Sequence, residues 1–361
     1  MVSANSRIGI IGAGTSGVYL ASLLSHQGFQ VDLFERSSRP RTEGCGILLV
    51  QAGMLALQQG NPHVCDRIIH SGDPVKRFEF RNLRGGTINT ESVTYQPNEL
   101  PGMLVHRKAI LEALLDTMPA NSLHGNAELE SVIQTEQGVI AQFKDGRHWQ
   151  GDLLIGADGI LSKVRESVVP GVELCYLGDL VWRGITHDRT FCPEGNFIVY
   201  ARGRGIYANF FHIGGDLTHW GFFVEQAQDK GDRHTLRPQD PTLPTQELAK
   251  LPKDAREIIE STLPEHIICR YSYDIEPLPR LYQGRVLLIG DAAHAKSPTR
   301  ARGMTAGLED ALSLSRHLTT QTDIPTALKA FQAERLPIVH EYQRTSRAQS
   351  QRIGRQPKRA A

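Results

Sequence analysis

The chain has 361 residues, with 40 Lys and Arg against 39 Asp and Glu and a formal net charge of +1. This near-neutral balance gives no electrostatic case for a nucleic-acid partner, and no apolar run approaches the ~20 residues of a membrane span. The first apolar run, Ile8 to Ile11, turns straight into glycines, so no signal peptide is expected and the expected location is cytoplasmic. Five dispersed cysteines (Cys45, Cys65, Cys175, Cys192, Cys269) have no metal-ligand spacing. They read as free thiols in a reducing compartment, and no metal is expected.

The chain opens with a short apolar strand, Arg7 to Ile11. Gly12-Ala13-Gly14-Thr15-Ser16-Gly17 follows, then a helix from Val18 to Gln27 that Gly28 ends. Gln30 to Arg36 is a second strand, which completes a strand–turn–helix–strand unit of the kind that parallel pairing requires. Gly44 to Val50 reads as a loop and Met54 to Gln58 as a short helix. Lys76 to Tyr95 alternates aromatic and charged residues around the turn Arg84-Gly85-Gly86, a hairpin of another layer. His106-Arg107 starts a helix through Leu111, Leu114 and Leu115.

Leu129 to Phe143 predicts two strands, with Asp145-Gly146 as the next tight turn. Asp152 to Gly156 is another buried strand, leading into Ala157-Asp158-Gly159. From Cys175 to Tyr273 the pattern becomes antiparallel: Phe197 to Tyr200, Ile206 to His212 and His219 to Glu225, with turns at Gly203, Gly205 and Gly214-Gly215. Gln228 to Thr245 is polar and proline-bearing and is expected to be a mobile loop. Arg285 to Ile289 is a buried strand followed by Gly290-Asp291-Ala292-Ala293-His294. Ser297-Pro298 and Gly303-Met304 come next, and a helix takes in Gly307 to Ala311. An amphipathic helix runs from Thr326 to about Ile353, and 354–361 reads as a frayed tail.

The first glycine loop carries the clearest chemistry. Gly12 permits the tight turn, Gly14 lets the backbone approach a pyrophosphate, and Gly17 lets helix and strand pack closely. The helix N-terminus then offers free amides and a favourable dipole to phosphate. Glu35, at the end of the second strand, can accept two ribose hydroxyl hydrogen bonds. This loop alone does not separate FAD from NAD. The two further carboxylates at strand ends, Asp158 and Asp291, make that distinction.

In this order and separation, the glycine loop, Asp158-Gly159 with Ser162 and Arg165, and Gly290-Asp291 resemble the flavin-dependent aromatic hydroxylases. These are the single-component group A FAD monooxygenases typified by p-hydroxybenzoate hydroxylase. The resemblance extends through Arg335-Leu336-Pro337 and Ser346-Arg347. It implies an α/β fold: a discontinuous FAD-binding Rossmann-like domain of three-layer type (1–75, 97–174 and 281–325) and a substrate domain on an antiparallel sheet (76–96 and 175–280), with C-terminal helices over 326–353. It also implies that NADH or NADPH reduces FAD as a transient partner, and that O2 is captured as a flavin C4a-hydroperoxide. One oxygen atom then hydroxylates or epoxidises an apolar, aromatic small molecule. No dedicated nicotinamide-binding unit is expected, so the reductant would dock on the FAD domain.

The resemblance further implies roles for single residues. Gly12, Ala13, Gly14 and Gly17 hold the pyrophosphate, and Glu35 with Arg36 the adenosine ribose. Cys45 and Gly46 line the flavin side. Arg107 reaches the phosphate or ribityl chain, and the backbone of Leu129 meets the adenine. Asp158 serves both cofactors, and Asp291 binds a ribityl hydroxyl. Pro298 lies near the reactive edge, while Gly303 and Met304 place amides at the pyrimidine side, where the reduced ring is anionic. The chain departs from the pattern at Arg300, Arg302 and Lys296, which read either as solvated loop charges or as cations that stabilise the flavin anion or hold an acidic substrate. His294 reads as a structural residue and Arg183 as an ion-pair member. Tyr207, Phe211, Trp220 and Phe222 are the candidate substrate-binding aromatics of the alternating strands. An FAD-dependent dehydrogenase or reductase of an alkene or prenyl chain is the alternative reading, and a non-catalytic flavin-bound sensor a second. The oligomeric state, a homodimer included, is left open.

Overall fold

A computed structural model describes the chain except residues 1, 4, 42–43, 202–204, 230–231, 233, 354 and 356–361. The turn expected at Gly203, and all of the expected frayed tail but Arg355, lie outside the described residues. The fold is α/β, as the sequence pattern predicts, and two large sheets organise it. In the first, Arg7–Ile11 lies between Gln30–Phe34 and Leu153–Gly156, all parallel, and Val286–Leu288 extends the parallel run beyond Leu153–Gly156. These strands read as continuous apolar runs because both faces are covered. Ile8, Ile10, Leu153, Leu154, Ile155 and Leu287 are all fully buried, and each such side chain stabilises the fold by about 1.5–3 kcal/mol.

One face of this sheet carries the helices Thr15–His26 and Gly303–Thr320, and the other the three-stranded sheet of Leu129–Gln134, Val139–Phe143 and His148–Gly151. That is the expected three-layer order. The layers approach closely at two residues without side chains. The Trp149 ring lies where a Cβ on Gly9 would be, and Ser16 lies where Cβ atoms on Gly290 and Gly307 would be. The second contact joins the first helix directly to the last third of the chain.

The second sheet has seven strands, in the order Ile267–Ile275, Leu174–His187, Leu217–Glu225, Ile206–His212, Asn196–Ala201, Arg77–Arg81 and Thr87–Ser92. All neighbours are antiparallel except Asn196–Ala201 with Arg77–Arg81, so the early hairpin joins this sheet as an outer pair. One face packs against the helices Thr245–Leu248 and Lys253–Glu260 through Trp182, Tyr200, Phe210, Leu248 and Ile259. The helix Ile324–Ser350 ties the two sheets together, because Arg347 forms a bidentate pair with the buried Asp274 (2.7 and 2.8 Å).

Several elements differ from expectation. Gly46–Leu49, read as part of a loop, is a strand paired with Met103–His106. The helix Pro62–Ser71 was not expected, although its start was legible: Asn61 accepts a capping bond from Val64 N, and proline occupies the first turn. The last helix ends at Ser350 rather than near Ile353. In the Gln228–Thr245 segment, Trp182 Nε1 donates to the Pro241 carbonyl at 2.6 Å and Asp232 bridges to Arg237.

Candidate active site

All three motifs sit at the carboxyl ends of neighbouring strands, where open α/β sheets bind ligands. Gly12 has φ +105°, and a Cβ there would lie 2.5 Å from the Ala157 carbonyl oxygen. A Cβ on Gly17 would overlap the Gly12 carbonyl oxygen. Both glycines are therefore fixed by close backbone packing. Gly14 differs, because nothing lies within 4 Å of its Cβ direction. It is also the N-cap of Thr15–His26 and supplies no side-chain cap, so the first amides of that helix have no capping side chain to compete with a bound pyrophosphate. Glu35 Oε2 accepts from Ala13 N (3.1 Å) and Oε1 from Ser37 N (2.9 Å). Each oxygen keeps a second lone pair for a ribose hydroxyl.

One cavity of about 480 Å³ is lined by Gly12, Ala13, Gly14, Glu35, Arg36, Cys45, Arg107, Leu129 and Asp158. These nine come from six separate stretches of sequence. Gly17 stands behind the loop, and Gly46 packs against His219 and Ile213. Asp158 accepts from Ser162 Oγ (2.6 Å) and from the amides of Lys163 and Val164. Burial pushes its pKa up against those hydrogen bonds. Arg165 links this motif to the distant one, donating to the Ala292 carbonyl at 3.0 Å.

The last motif builds the other end. Gly290 has φ +59° and opens a single helical turn, Asp291–His294. Asp291 is exposed, and its Oδ1 lies 4.0 Å from the Cβ position of Gly303. Pro298 starts an exposed 3-10 turn, Ala301 takes a left-handed φ of +53°, and Gly303 then begins the helix Gly303–Thr320. Asp291, Pro298, Gly303 and Met304 thus surround one helix N-terminus, whose cap Arg302 gives no side-chain bond.

Behind this loop lies a buried polar chain. His294 Nε2 donates to Asp310 Oδ2 at 2.5 Å, and Lys296 Nζ donates to His294 Nδ1 at 2.7 Å. Asp310 also accepts from Gly290 N and from Arg335 Nε. Burial works to raise the Asp310 pKa, but His294 and Arg335 outweigh it and hold the carboxyl far below its usual range. Burial pushes Lys296 down to about 8. His294 is thus held inside the fold between Asp310 and Lys296, and Lys296 is an internal charge rather than a solvated one. Arg302 lies over the Tyr342 ring, 5.1 Å from its centre, and Arg300 is exposed.

The antiparallel sheet closes the site. Register places Arg183, Gly221, Asn209 and Val199 in one cross-strand row, with Val181, Phe223, Tyr207 and Ala201 on one side and Ile185, His219, Phe211 and Phe197 on the other. Arg183 lines the 480 Å³ cavity, so this face looks toward the glycine loop. Tyr207 and Phe211 lie on this face. Trp220 and Phe222 do not. They pair with Phe210 and Ala208 on the opposite face, where Trp220 Nε1 bonds to Thr262 Oγ1 and Phe222 lies against Trp182. Their place as substrate candidates passes to Phe223 and His219. Burial drives His219 down to about 3, and its Nδ1 has no partner among the described residues. Asn209 donates to the Tyr207 hydroxyl, leaving its own Oδ1 without one.

Arg183 also departs from expectation. Among the described residues it has no ion-pair partner, and it lies over the Phe223 ring at 5.6 Å. Arg237 and Arg270 line the same cavity, and no sequence motif marks either of them. Burial, then the crowding of Arg237, Arg41, Arg183 and Arg36, lowers the Arg270 pKa. No helix among the described residues is long and apolar enough to cross a membrane, and no metal-binding cluster occurs among them.

A dinucleotide cleft between a parallel sheet and an antiparallel one, closed by a third motif near the C-terminus, defines a flavoprotein of the hydroxylase type. The chain belongs to the FAD binding domain family, whose pattern matches residues 5–189 and 270–346. It is 29% identical over 335 residues to the aurachin C monooxygenase/isomerase of Stigmatella aurantiaca, covering 92% of this chain and 86% of that one. It is 30% identical over 377 aligned residues to a salicylate hydroxylase of Pseudomonas putida, covering 94% and 84%. The crystal structure of Klebsiella pneumoniae HpxO complexed with FAD and uric acid superposes with a TM-score of 0.85 at 26% identity, covering 96% of this chain and 88% of that one.

Proposed function

We propose that this chain is an FAD monooxygenase that uses NADH or NADPH and O2 to hydroxylate an aromatic acid. The observation that carries the reading is Arg183. It is a cation without a counter-ion among the described residues, set on an aromatic sheet face and opening into the dinucleotide cavity. Such a site suits a planar ring bearing an anionic group. Salicylate and 3-amino-4-hydroxybenzoate, named for two relatives, have that chemistry.

The residues present fit the cofactor, because Gly14 leaves room at an uncapped helix start and Glu35 keeps acceptor capacity. Gly12, Ala13, Gly14 and Gly17 would hold the pyrophosphate, Glu35 and Arg36 the ribose, and Leu129 the adenine. Cys45, Gly46, Arg107, Asp158 and Asp291 would follow the cofactor toward its ring, with Pro298 at the reactive edge. When bound, FAD supplies hydride acceptance and oxygen activation. The chain supplies placement. Amides at Gly303 and Met304, with the helix dipole behind them, favour negative charge on the ring. Arg183 orients the substrate, and Tyr207, Phe211 and Phe223 exclude water from the transfer. The division into an FAD-binding unit (1–75, 97–174, 281–325) and a substrate unit (76–96, 175–280) belongs to this reading and follows the two sheets.

The test is a screen of the purified yellow protein. Aromatic acids should accelerate NADH or NADPH oxidation at least about tenfold over the substrate-free rate. No acceleration across a panel including salicylate, 3-amino-4-hydroxybenzoate and urate would contradict the reading.

A further inference from the structure

The C-terminal turn returns to the substrate face. Val181, Val199, Tyr207 and Phe223 form a small apolar cluster separate from the main cores, and Ile353 packs on it together with Phe80, Phe197 and Ala201. The same Ile353 borders a narrow crevice with Tyr207, Phe223 and Thr299, the residue after Pro298 in the loop beside the flavin site. That crevice holds only about 10 Å³, too little for any ligand. Ile353 thus fills the gap between the substrate sheet and the Pro298–Arg300 turn.

This placement is not incidental packing of a loose end. Arg355 donates to the carbonyls of Leu177 (2.6 Å), Gly178 (2.8 Å) and Ser350 (3.0 Å), and to Asp179 Oδ2 at 2.7 Å. Gly178 has φ +86°, and the strand register shifts between Tyr176 and Leu180. This bulge presents its carbonyls to the guanidinium. Five-donor geometry lets one arginine serve several carbonyls at once. Arg355 thereby anchors the last turn on the strand that also carries Val181 and Arg183. The cross-strand row holding Tyr207 and Phe223 adjoins the row of Arg183, Gly221 and Asn209. A ring whose anionic group sits at Arg183 therefore meets Ile353 if it extends past Tyr207 and Phe223.

We infer that Ile353, clamped in place by Arg355, is the specificity-determining wall that limits substrate length at the Tyr207–Phe223 end of the pocket. The inference rests on the aromatic-acid reading above for the identity of the ligand, but not for the existence of the wall. Full-length Ile353→Ala holoenzyme, compared with wild type, tests it. The probes are salicylate and its bicyclic analogue 1-hydroxy-2-naphthoate, titrated against the visible spectrum of the bound flavin. The bicyclic acid should gain about tenfold in affinity relative to the monocyclic one, and Arg355→Ala should give the same change by releasing the clamp. An affinity ratio within twofold of wild type in both variants would overturn the wall. If neither acid perturbs the flavin of any protein, the aromatic-acid reading fails, and the wall is then read with 8-anilinonaphthalene-1-sulfonate. One equivalent bound by Ile353→Ala and not by wild type supports the wall, and equal binding overturns it. Unchanged flavin content in both variants separates either outcome from misfolding.

Discussion

Gly14→Ala should separate cofactor binding from folding. Gly14 has an ordinary extended conformation, φ −77° and ψ 177°, and its Cβ direction is empty to 4 Å. Alanine is thus free of strain there. Losing glycine stiffens the unfolded chain, a gain of about 0.4–1 kcal/mol, while alanine is the poorer N-cap by a similar amount. Net stability of the apoprotein should change by less than about 1 kcal/mol, at most ~2–4 °C in Tm. The new methyl stands where the pyrophosphate must approach the amides. Losing one charge-assisted hydrogen bond costs about 1.5–3 kcal/mol, which weakens FAD binding by about 10- to 150-fold. Gly17→Ala is the control, because its Cβ overlaps the Gly12 carbonyl, so it should lower both Tm and affinity. Apoprotein melting and FAD titration by flavin fluorescence read the two effects. Wild-type FAD affinity in Gly14→Ala would refute the phosphate assignment.

The other predictions use the remaining parts of the site. Asp291→Ala removes an exposed carboxylate beside Gly303 and should lower the flavin content of purified protein with little change in apoprotein Tm; unchanged content counts against its ribityl role. Arg183→Ala should raise KM for aromatic acids by about 10- to 150-fold, the worth of one charged contact, and spare neutral phenols; equal losses for both would refute substrate anchoring. His219 is held neutral down to about pH 3 by burial, whereas the unfolded chain takes up its proton near pH 6.5. Its stabilising effect is therefore complete above pH 6.5 and declines toward pH 3, by about 1.4 kcal/mol per pH unit. His219→Gln should flatten stability between pH 6.5 and 4.5 by that slope, and an identical slope in urea unfolding would contradict the burial argument.

Strand-end motifs made the cofactor cleft legible in the sequence. Gly12, Gly14 and Glu35 have meaning at a strand–helix junction, and parallel pairing then forces the ends of Leu153–Gly156 and Val286–Leu288 alongside. The substrate face was less legible. Alternation divides each strand into two faces without saying which one meets the flavin. Only the register Tyr207–Phe223 and Phe211–His219 shows that Trp220 and Phe222 belong to the helix-covered face. Partners far apart in sequence were also hidden: the bond of His294 to Asp310, the burial of Lys296, and the return of Arg355 to Gly178. The strand Gly46–Leu49 is not legible in the sequence because it is short and glycine-led, and its edges become visible only through Met103–His106.

Isotope incorporation tests the proposed chemistry most directly. The holoenzyme is given NADH or NADPH, the aromatic acid that best accelerates its oxidation, and 18O2, and the product is weighed by mass spectrometry. A monooxygenase places one 18O atom in the product for each nicotinamide oxidised productively. A product formed without label, lighter or heavier by two hydrogens, would mean that the flavin dehydrogenates or reduces its substrate and that the hydroxylase account is wrong.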